Sequence, residues 1–340
     1  MAHNATADEL MVAEDPTYEV DLAFARFTAN VRPLLPAGEE IRNLVGAMKG
    51  VSLMLHVCEH SRSADAVDDA VVSLYELCAS PVAVEELVVL GGLQVLIDLL
   101  LDVARSRKVH SHTLLLLLRM LVTDELKTAV IELGVTAALV RLIKSDNTVL
   151  VQRSLQVTRE CCSVESNVEY FKSLGEELVH PLLQLCERNF DPIIIDFSAE
   201  LLKDLVSSQE QRETYIRLNA VSALLRILSH CNQVSAKEHS MATMRILCED
   251  PSIRRIILER GGLAPLVLAT HHGETLEIRR HAGVVLAEIS VSDSMQRELE
   301  NLEAGNVFAH LDKDKKKKRG SLLGLSLTPR SPRMPRTPRK

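Results

Sequence analysis

Residues 90–100 read LGGLQVLIDLL, a turn at glycine followed by an apolar run. Similar stretches begin at residues 50, 133, 174, 217 and 260. Their first apolar anchors are Leu53, Leu96, Leu139, Leu182, Leu224 and Leu266, which lie 42 or 43 residues apart. A further step of 42 reaches Phe308, in a seventh unit that the C-terminal tail cuts short. Self-similarity at such a period predicts a repeat protein, in which each unit buries its apolar face against its neighbours.

Each unit reads as a short helix, a turn, a second helix, a polar linker and a longer third helix. The predicted turn residues are of types that tolerate left-handed backbone; they are Gly91, Gly134, Gly175, Asn219 and Gly261. The third helices are amphipathic with a 3.6-residue period, as in LEIRRHAGVVLAEIS at residues 276–290. Hydrophobic residues make up 46% of the chain but aromatic residues only 3%, which favours packed helices over a β-sandwich.

The pattern resembles the armadillo repeat family over residues 31–311. The family's G-x-x-P-x-L-V-x-L-L segment is matched by GGLAPLV at residues 261–267 and by GGLQVLIDLL at residues 91–100. The resemblance implies an all-α, right-handed superhelical solenoid of about six repeats; a HEAT-type superhelix or an irregular helical bundle is the alternative. Residues 1–30 would form an acidic, partly disordered segment, and residues 312–340 a basic, Pro-rich disordered tail.

In armadillo solenoids the third helices line a concave groove, and an Asn near the helix end often holds an extended peptide. Here the last core positions align at Leu77, Leu121, Cys161, Leu205, Leu247 and Ile289. The preceding residues are Glu76, Met120, Glu160, Asp204, Ile246 and Glu288, and the residues one turn earlier are Val72, Leu116, Gln156, Glu200, Ala242 and Val284. From these rows the predicted partner-binding residues are Glu76, Gln156, Glu160, Glu200, Asp204 and Glu288.

The six residues that precede the last core positions include no Asn, and four of them are acidic. The chain also has no Trp. Importin-alpha-like adaptors pair Trp with Asn to hold lysine side chains, so that function is disfavoured. An acidic groove would attract basic segments. The alternative is that these carboxylates are solvated charges on the helix surface, without a common ligand.

The sequence contains no pattern that indicates an enzyme, a cofactor site or a metal site. Walker A, Rossmann, G-x-S-x-G and H-E-x-x-H motifs are absent, and the pairs His110 with His112 and His271 with His272 lack further ligands at metal-binding spacing. The seven cysteines are odd in number, which is typical of a reduced, intracellular protein. The apolar run at residues 112–121 is too short to span a bilayer. We therefore expect a cytoplasmic protein, with a nuclear location as the alternative.

The C-terminal tail differs in charge from the rest of the chain. From Asp312 onward it has eleven Lys and Arg against two Asp, although the whole chain has a net charge of −7. The run Lys315, Lys316, Lys317, Lys318 and Arg319 resembles a monopartite nuclear localisation signal; a generic basic linker is the alternative. Thr328, Ser331 and Thr337 each precede Pro and are candidate phosphorylation sites.

These features predict a non-enzymatic scaffold or adaptor that binds a protein or an extended, basic peptide in the groove. The tail would regulate or target it, in one version by docking on the chain's own acidic groove. One alternative is an Hsp70 nucleotide-exchange co-chaperone of armadillo type. Another is attachment to microtubules or nucleic acid through the tail.

Overall fold

A computed structural model of the chain describes residue 23, residues 26–188 and residues 191–290. This part of the chain is all-α. A helical segment at residues 26–31 and a 3-10 helix, Arg32–Ala37, precede eighteen α-helices, and no strand occurs in these ranges. The eighteen helices form six repeats of three, as the 42 to 43 residue period predicts.

Each repeat has a first helix of nine residues, a second of nine to twelve and a third of thirteen to fifteen. The first helices are α1 (Glu39–Ala47), α4 (Pro81–Val89), α7 (Asp124–Glu132), α10 (Glu165–Ser173), α13 (Gln209–Arg217) and α16 (Pro251–Glu259). The second helices are α2 (Gly50–His60), α5 (Gly92–Leu101), α8 (Val135–Ile143), α11 (Glu176–Glu187), α14 (Ala220–His230) and α17 (Leu263–His272). The third helices are α3 (Ala64–Leu77), α6 (Arg107–Met120), α9 (Thr148–Cys162), α12 (Pro192–Asp204), α15 (Val234–Leu247) and α18 (Leu276–Ser290).

The turn between the first and second helices has positive φ at all five predicted residues, although ψ of −123° places Gly175 outside the left-handed helical region. The φ values are 76° at Gly91, 87° at Gly134, 51° at Gly175, 57° at Asn219 and 69° at Gly261. In the first repeat the equivalent residue is Lys49, with φ of 60°. The sequence did not predict this turn, because a left-handed lysine is unfavourable and carries no turn signal.

Side-chain caps start five of the six third helices and explain why these helices follow polar linkers. The capping oxygens accept hydrogen bonds from backbone N–H groups in the first turns of α3, α6, α9, α12 and α18; they belong to Ser63, Ser106, Asn147, Asp191 and Thr275. Such caps satisfy N–H groups that have no partner within the helix. The polar linkers therefore fix where the long helices begin.

The repeats stack in sequence order around one continuous core. Third helices pack on neighbouring third helices, and second helices on neighbouring second helices. The core extends from Leu35 to Ile289. The predicted anchors of repeats two to six are all buried, at 1% exposure or less; they are Leu96, Leu139, Leu182, Leu224 and Leu266. The stack thus forms as the period predicts, with each unit covering the next.

In two helices, α2 and α6, the predicted assignment of buried and exposed positions is shifted by one residue. In the first repeat Leu53 is partly exposed, whereas Met54 is fully buried and aligns with Leu96. In α6 the predicted surface residues Met120 and Leu116 are both 0% exposed. Both errors arise in nearly continuous apolar stretches, GVSLMLHV and TLLLLLRML, where the helical period cannot be read.

The equivalent surface residues of α6 are Arg119 and Leu115, which are partly exposed. The predicted end of the solenoid at residue 311, the seventh unit at Phe308 and the tail at residues 312–340 lie outside the described residues. Within the ranges that the structure describes, no helix has the length and apolarity that a bilayer crossing requires.

Candidate functional site: the third-helix face

The candidate site is the partly exposed side of α3, α6, α9, α12, α15 and α18, which we name the third-helix face. Neighbouring third helices run parallel, because Asp68 near the start of α3 contacts His112 in α6 and Tyr75 near its end contacts Arg119. Residues in the same register therefore lie side by side across the repeats. All six predicted binding residues lie on this face and are partly exposed; they are Glu76, Gln156, Glu160, Glu200, Asp204 and Glu288.

Arg159 neutralises two of the predicted carboxylates. Its guanidinium lies 3.5 Å from Glu160 Oε1 and 3.6 Å from Glu200 Oε2, so it joins α9 to α12. The same guanidinium lies 4.5 Å from the centroid of the Phe197 ring. Packing on the ring holds the cation between the two acids.

Two more of the predicted carboxylates also have cationic partners. Lys203 Nζ lies 3.1 Å from Asp204 Oδ1, and an Arg254 guanidinium nitrogen lies 2.8 Å from Glu288 Oε2. Glu76 forms no ion pair with a described residue. Because these pairs cancel charge at short range, the negative field expected from the sequence is much reduced.

The third helices together are nearly balanced, with eleven Asp and Glu against ten Lys and Arg. The balance differs between the first two repeats. α3 carries four acidic residues and no Lys or Arg, whereas α6 carries three Lys and Arg and no acidic residue. The two helices therefore present opposite charges side by side.

A buried carboxylate joins these two helices to the N-terminal 3-10 helix. Asp68 is 1% exposed; its Oδ2 lies 3.1 Å from Lys108 Nζ and 3.7 Å from Arg32, and its Oδ1 forms a hydrogen bond with His112 Nδ1. Arg32 also pairs with Asp69. A buried charge is tolerated when it is paired in this way.

In the first two repeats, apolar side chains lie on the face along the C-terminal halves of the helices α3 and α6. Val72 and Tyr75 on α3 and Leu115 and Leu118 on α6 are partly exposed. Arg119 lies 3.6 Å from the centroid of the Tyr75 ring and donates a hydrogen bond to the Tyr75 carbonyl oxygen. Of this group the sequence pattern predicted only Val72 on the face, because the wrong register in α6 placed Leu116 and Met120 there instead of Leu115 and Leu118.

Two histidines, His239 on α15 and His281 on α18, lie on the face in the last two repeats. Burial lowers the pKa of His239, and burial together with the nearby Arg245 lowers the pKa of His281. His281 Nε2 lies 3.8 Å from Glu277 Oε2. Because both pKa values are lowered from the ordinary histidine value, the neutral form of each side chain predominates at pH 7.

The cysteines lie in the core, away from the face. Burial raises the pKa of Cys58, Cys78, Cys161 and Cys248 to about 12. Among the described residues, no three His, Cys, Asp or Glu side chains are grouped so that they could hold a metal ion. The predicted tail sites lie outside the described residues; they are Lys315, Lys316, Lys317, Lys318, Arg319, Thr328, Ser331 and Thr337.

Comparisons with known proteins show the fold. No protein-family profile and no curated protein matches the chain. Among solved structures, an engineered protein has a TM-score of 0.63 at 16% identity, over 83% of this chain and 67% of that one. Computationally designed armadillo repeat proteins for modular peptide recognition have a TM-score of 0.59 at 18% identity, over 69% of this chain and 98% of that one.

A designed armadillo repeat protein in complex with the peptide (KR)4 has a TM-score of 0.56 at 17% identity, over 69% of this chain and 98% of that one. At these identities the likeness concerns the backbone arrangement and not the side chains of the face. It agrees with the helical repeats of this chain, which stack in sequence order. The fold is therefore an armadillo-like helical solenoid.

Proposed function

We propose that the protein is a non-enzymatic scaffold or adaptor that binds a protein partner on its third-helix face. The observation that carries this proposal is the continuity of the face: six parallel helices present partly exposed side chains across all six repeats. The stacked core behind them holds these side chains in fixed positions, which lowers the entropic cost of binding. The designed armadillo proteins are named for peptide recognition, which supports the same use in this chain.

The ion pairs favour a partner with mixed charge over a uniformly basic one. Glu160, Glu200, Asp204 and Glu288 already have cationic partners. A basic peptide would have to displace those cations. Each exposed ion pair that it formed in exchange would contribute little to the free energy of binding. A partner that carries both acidic and basic residues can contact both the carboxylate and the cation of each ion pair on the face.

Affinity capture followed by mass spectrometry tests the proposal. The bait is the full chain, and the face variant carries Gln156→Arg and Glu200→Arg. The matched control carries Gln94→Arg and Glu132→Arg, the same changes at exposed positions on α5 and α7. We expect captured partners to be lost with the face variant and retained with the control. Equal capture by both variants, with thermal unfolding confirming that both fold, would contradict the proposal.

The tail supplies the regulation in this proposal. We propose that residues 312–340 compete weakly with partners for the face, through Lys315–Arg319 against Glu288 and Asp204, and that phosphate at Thr328, Ser331 and Thr337 releases them. Capture with a chain that ends at Leu311 tests this. More partner on deletion supports competition, whereas loss of partner indicates that the tail itself carries the attachment. Unchanged capture would show that the tail neither competes with partners nor carries the attachment.

A further inference from the structure

We infer that the first two repeats carry a docking site for an amphipathic α-helix of a partner protein. The helix would lie across the apolar part of the third-helix face, with basic residues toward α3 and acidic residues toward α6. This inference rests on the proposed function and specifies the partner's chemistry. It differs from the extended peptide that the family resemblance implies.

Two parallel apolar ridges define the site. Leu115 and Leu118 lie one turn apart on α6 and are partly exposed. Val122 follows the end of α6 and is 70% exposed. Val72 and Tyr75 form the same ridge on α3. A partner helix that presents apolar residues at i, i+3 or i+4, and i+7 packs into the groove between such ridges.

The apolar ridges end at the third repeat. The positions in α9 that correspond to Leu115 and Leu118 are Gln156 and Arg159, and Arg159 is paired with two carboxylates. The polar side chains set one boundary of the site. The other boundary is the 3-10 helix, where Arg32 pairs with Asp69.

Backbone hydrogen bonding favours a helix over an extended segment. An extended peptide leaves N–H and C=O groups that need partners on the protein. The third helices contain no Asn, and their only Gln residues are Gln152 and Gln156 in α9. A helix satisfies its own backbone groups and needs only apolar and charged contacts from its partner. The first two repeats supply these two kinds of contact.

The flanking charges fix the orientation of the docked helix. On α3 lie Asp65 and Glu76, and on α6 lies Arg119. Asp69 and Lys108 flank the same face but are already paired with Arg32 and Asp68. Arg119 stacks on Tyr75 and has no carboxylate partner among the described residues. A helix with basic and acidic residues on its two flanks would pair with both sides, and such complementarity sets register and orientation.

Selection from two displayed libraries tests the inference on the full-length protein. One library randomises the surface of a helix in a helical-hairpin scaffold, and the other presents extended twelve-residue segments. We expect the helical library to yield binders with basic and acidic flanks. Exchanging the charges of those flanks should weaken binding, most strongly at low salt. Failure of the helical library to yield binders would overturn the inference.

Variants of the face then locate the selected binders. Val122→Glu and Leu115→Glu should each raise Kd by about tenfold or more, because a buried unpaired carboxylate opposes binding. The control is Val284→Glu, at the position in α18 that corresponds to Leu115 and is 40% exposed; it should leave Kd unchanged. Because Val122 is largely exposed, its variant keeps the fold, as thermal unfolding can check.

The outcomes separate this inference from the proposed function. Binders that are weakened by Gln156→Arg or Val284→Glu but not by Leu115→Glu or Val122→Glu would overturn the helix site and keep the scaffold function. Binders from the extended library alone would do the same. Binders that none of these variants weakens would also overturn the helix site, whereas only equal capture of cellular partners by the face variant and its control would overturn the scaffold function.

Discussion

Leu139 and Leu182 show what a single side chain contributes to the stack. Leu139 is 1% exposed and Leu182 is 0% exposed, each at the same place in its repeat. Replacing either by Ala should lower the free energy of unfolding by about 2–5 kcal/mol, because a cavity remains between second helices. The measurement is chemical denaturation, with Val89→Ala as the control, since Val89 is 84% exposed. An unchanged midpoint for Leu182→Ala would contradict the burial of this leucine between the repeats.

Left-handed turn residues give a second prediction at this scale. Gly134 has φ of 87° with no atom near its missing Cβ, so Gly134→Ala tests backbone strain alone and should cost about 1–2 kcal/mol. Lys49→Gly should instead stabilise the protein, because Lys49 has φ of 60°, which glycine adopts without strain. Gly46→Ala, inside α1 and also uncrowded, is the matched control and should stabilise. A stabilising Gly134→Ala would contradict the turn assignment.

At the scale of the element, the N-cap of α16 couples stability to pH. The Asp250 carboxylate accepts a hydrogen bond from the Ser252 backbone N–H at 2.8 Å, and hydrogen bonds from Ser252 lower the pKa of Asp250. Because the pKa is lower in the folded state, this stabilisation is present above the unfolded value of about 3.9 and is lost as pH falls through the folded value.

Asp250→Ala should therefore reduce stability by about 1 kcal/mol at pH 7. The difference from the wild type should shrink as pH falls below about 4. Asp250→Asn keeps a capping oxygen and serves as the control, with little loss at pH 7. Thermal unfolding from pH 2 to pH 7 is the measurement. A loss in Asp250→Ala that is independent of pH would mean that the charge on the cap does not matter.

The elements also show how far the sequence could predict this protein. The period, the polar linkers and the turn residues from Gly91 to Gly261 predicted three helices per repeat, because each signal is local. Leu53 and Leu116 were placed wrongly, because continuous apolar runs hide the helical period. The pairing of Arg159 with Glu200 could not be predicted, since it joins residues of different repeats whose side-chain directions only the folded stack fixes.

For the whole molecule, continuous stacking should protect the thiols. All seven cysteines are buried, and burial raises the pKa of Cys58 and Cys161 to about 12, so thiolate is scarce at pH 8. We expect slow reaction of the folded protein with Ellman's reagent and fast reaction of seven thiols after denaturation. A thiol that reacts at once in the folded protein would show that part of the stack is open.

The central claim about the whole molecule is that partners bind the third-helix face and not the surfaces of the first and second helices. The most direct measurement is photo-crosslinking in cells, with benzoylphenylalanine placed at Gln156 on the face or at Glu132 on α7. Both side chains are accessible, and they belong to different helices of the same repeat. We predict crosslinked partners from position 156 and none from position 132. Crosslinks from position 132 alone would contradict the account.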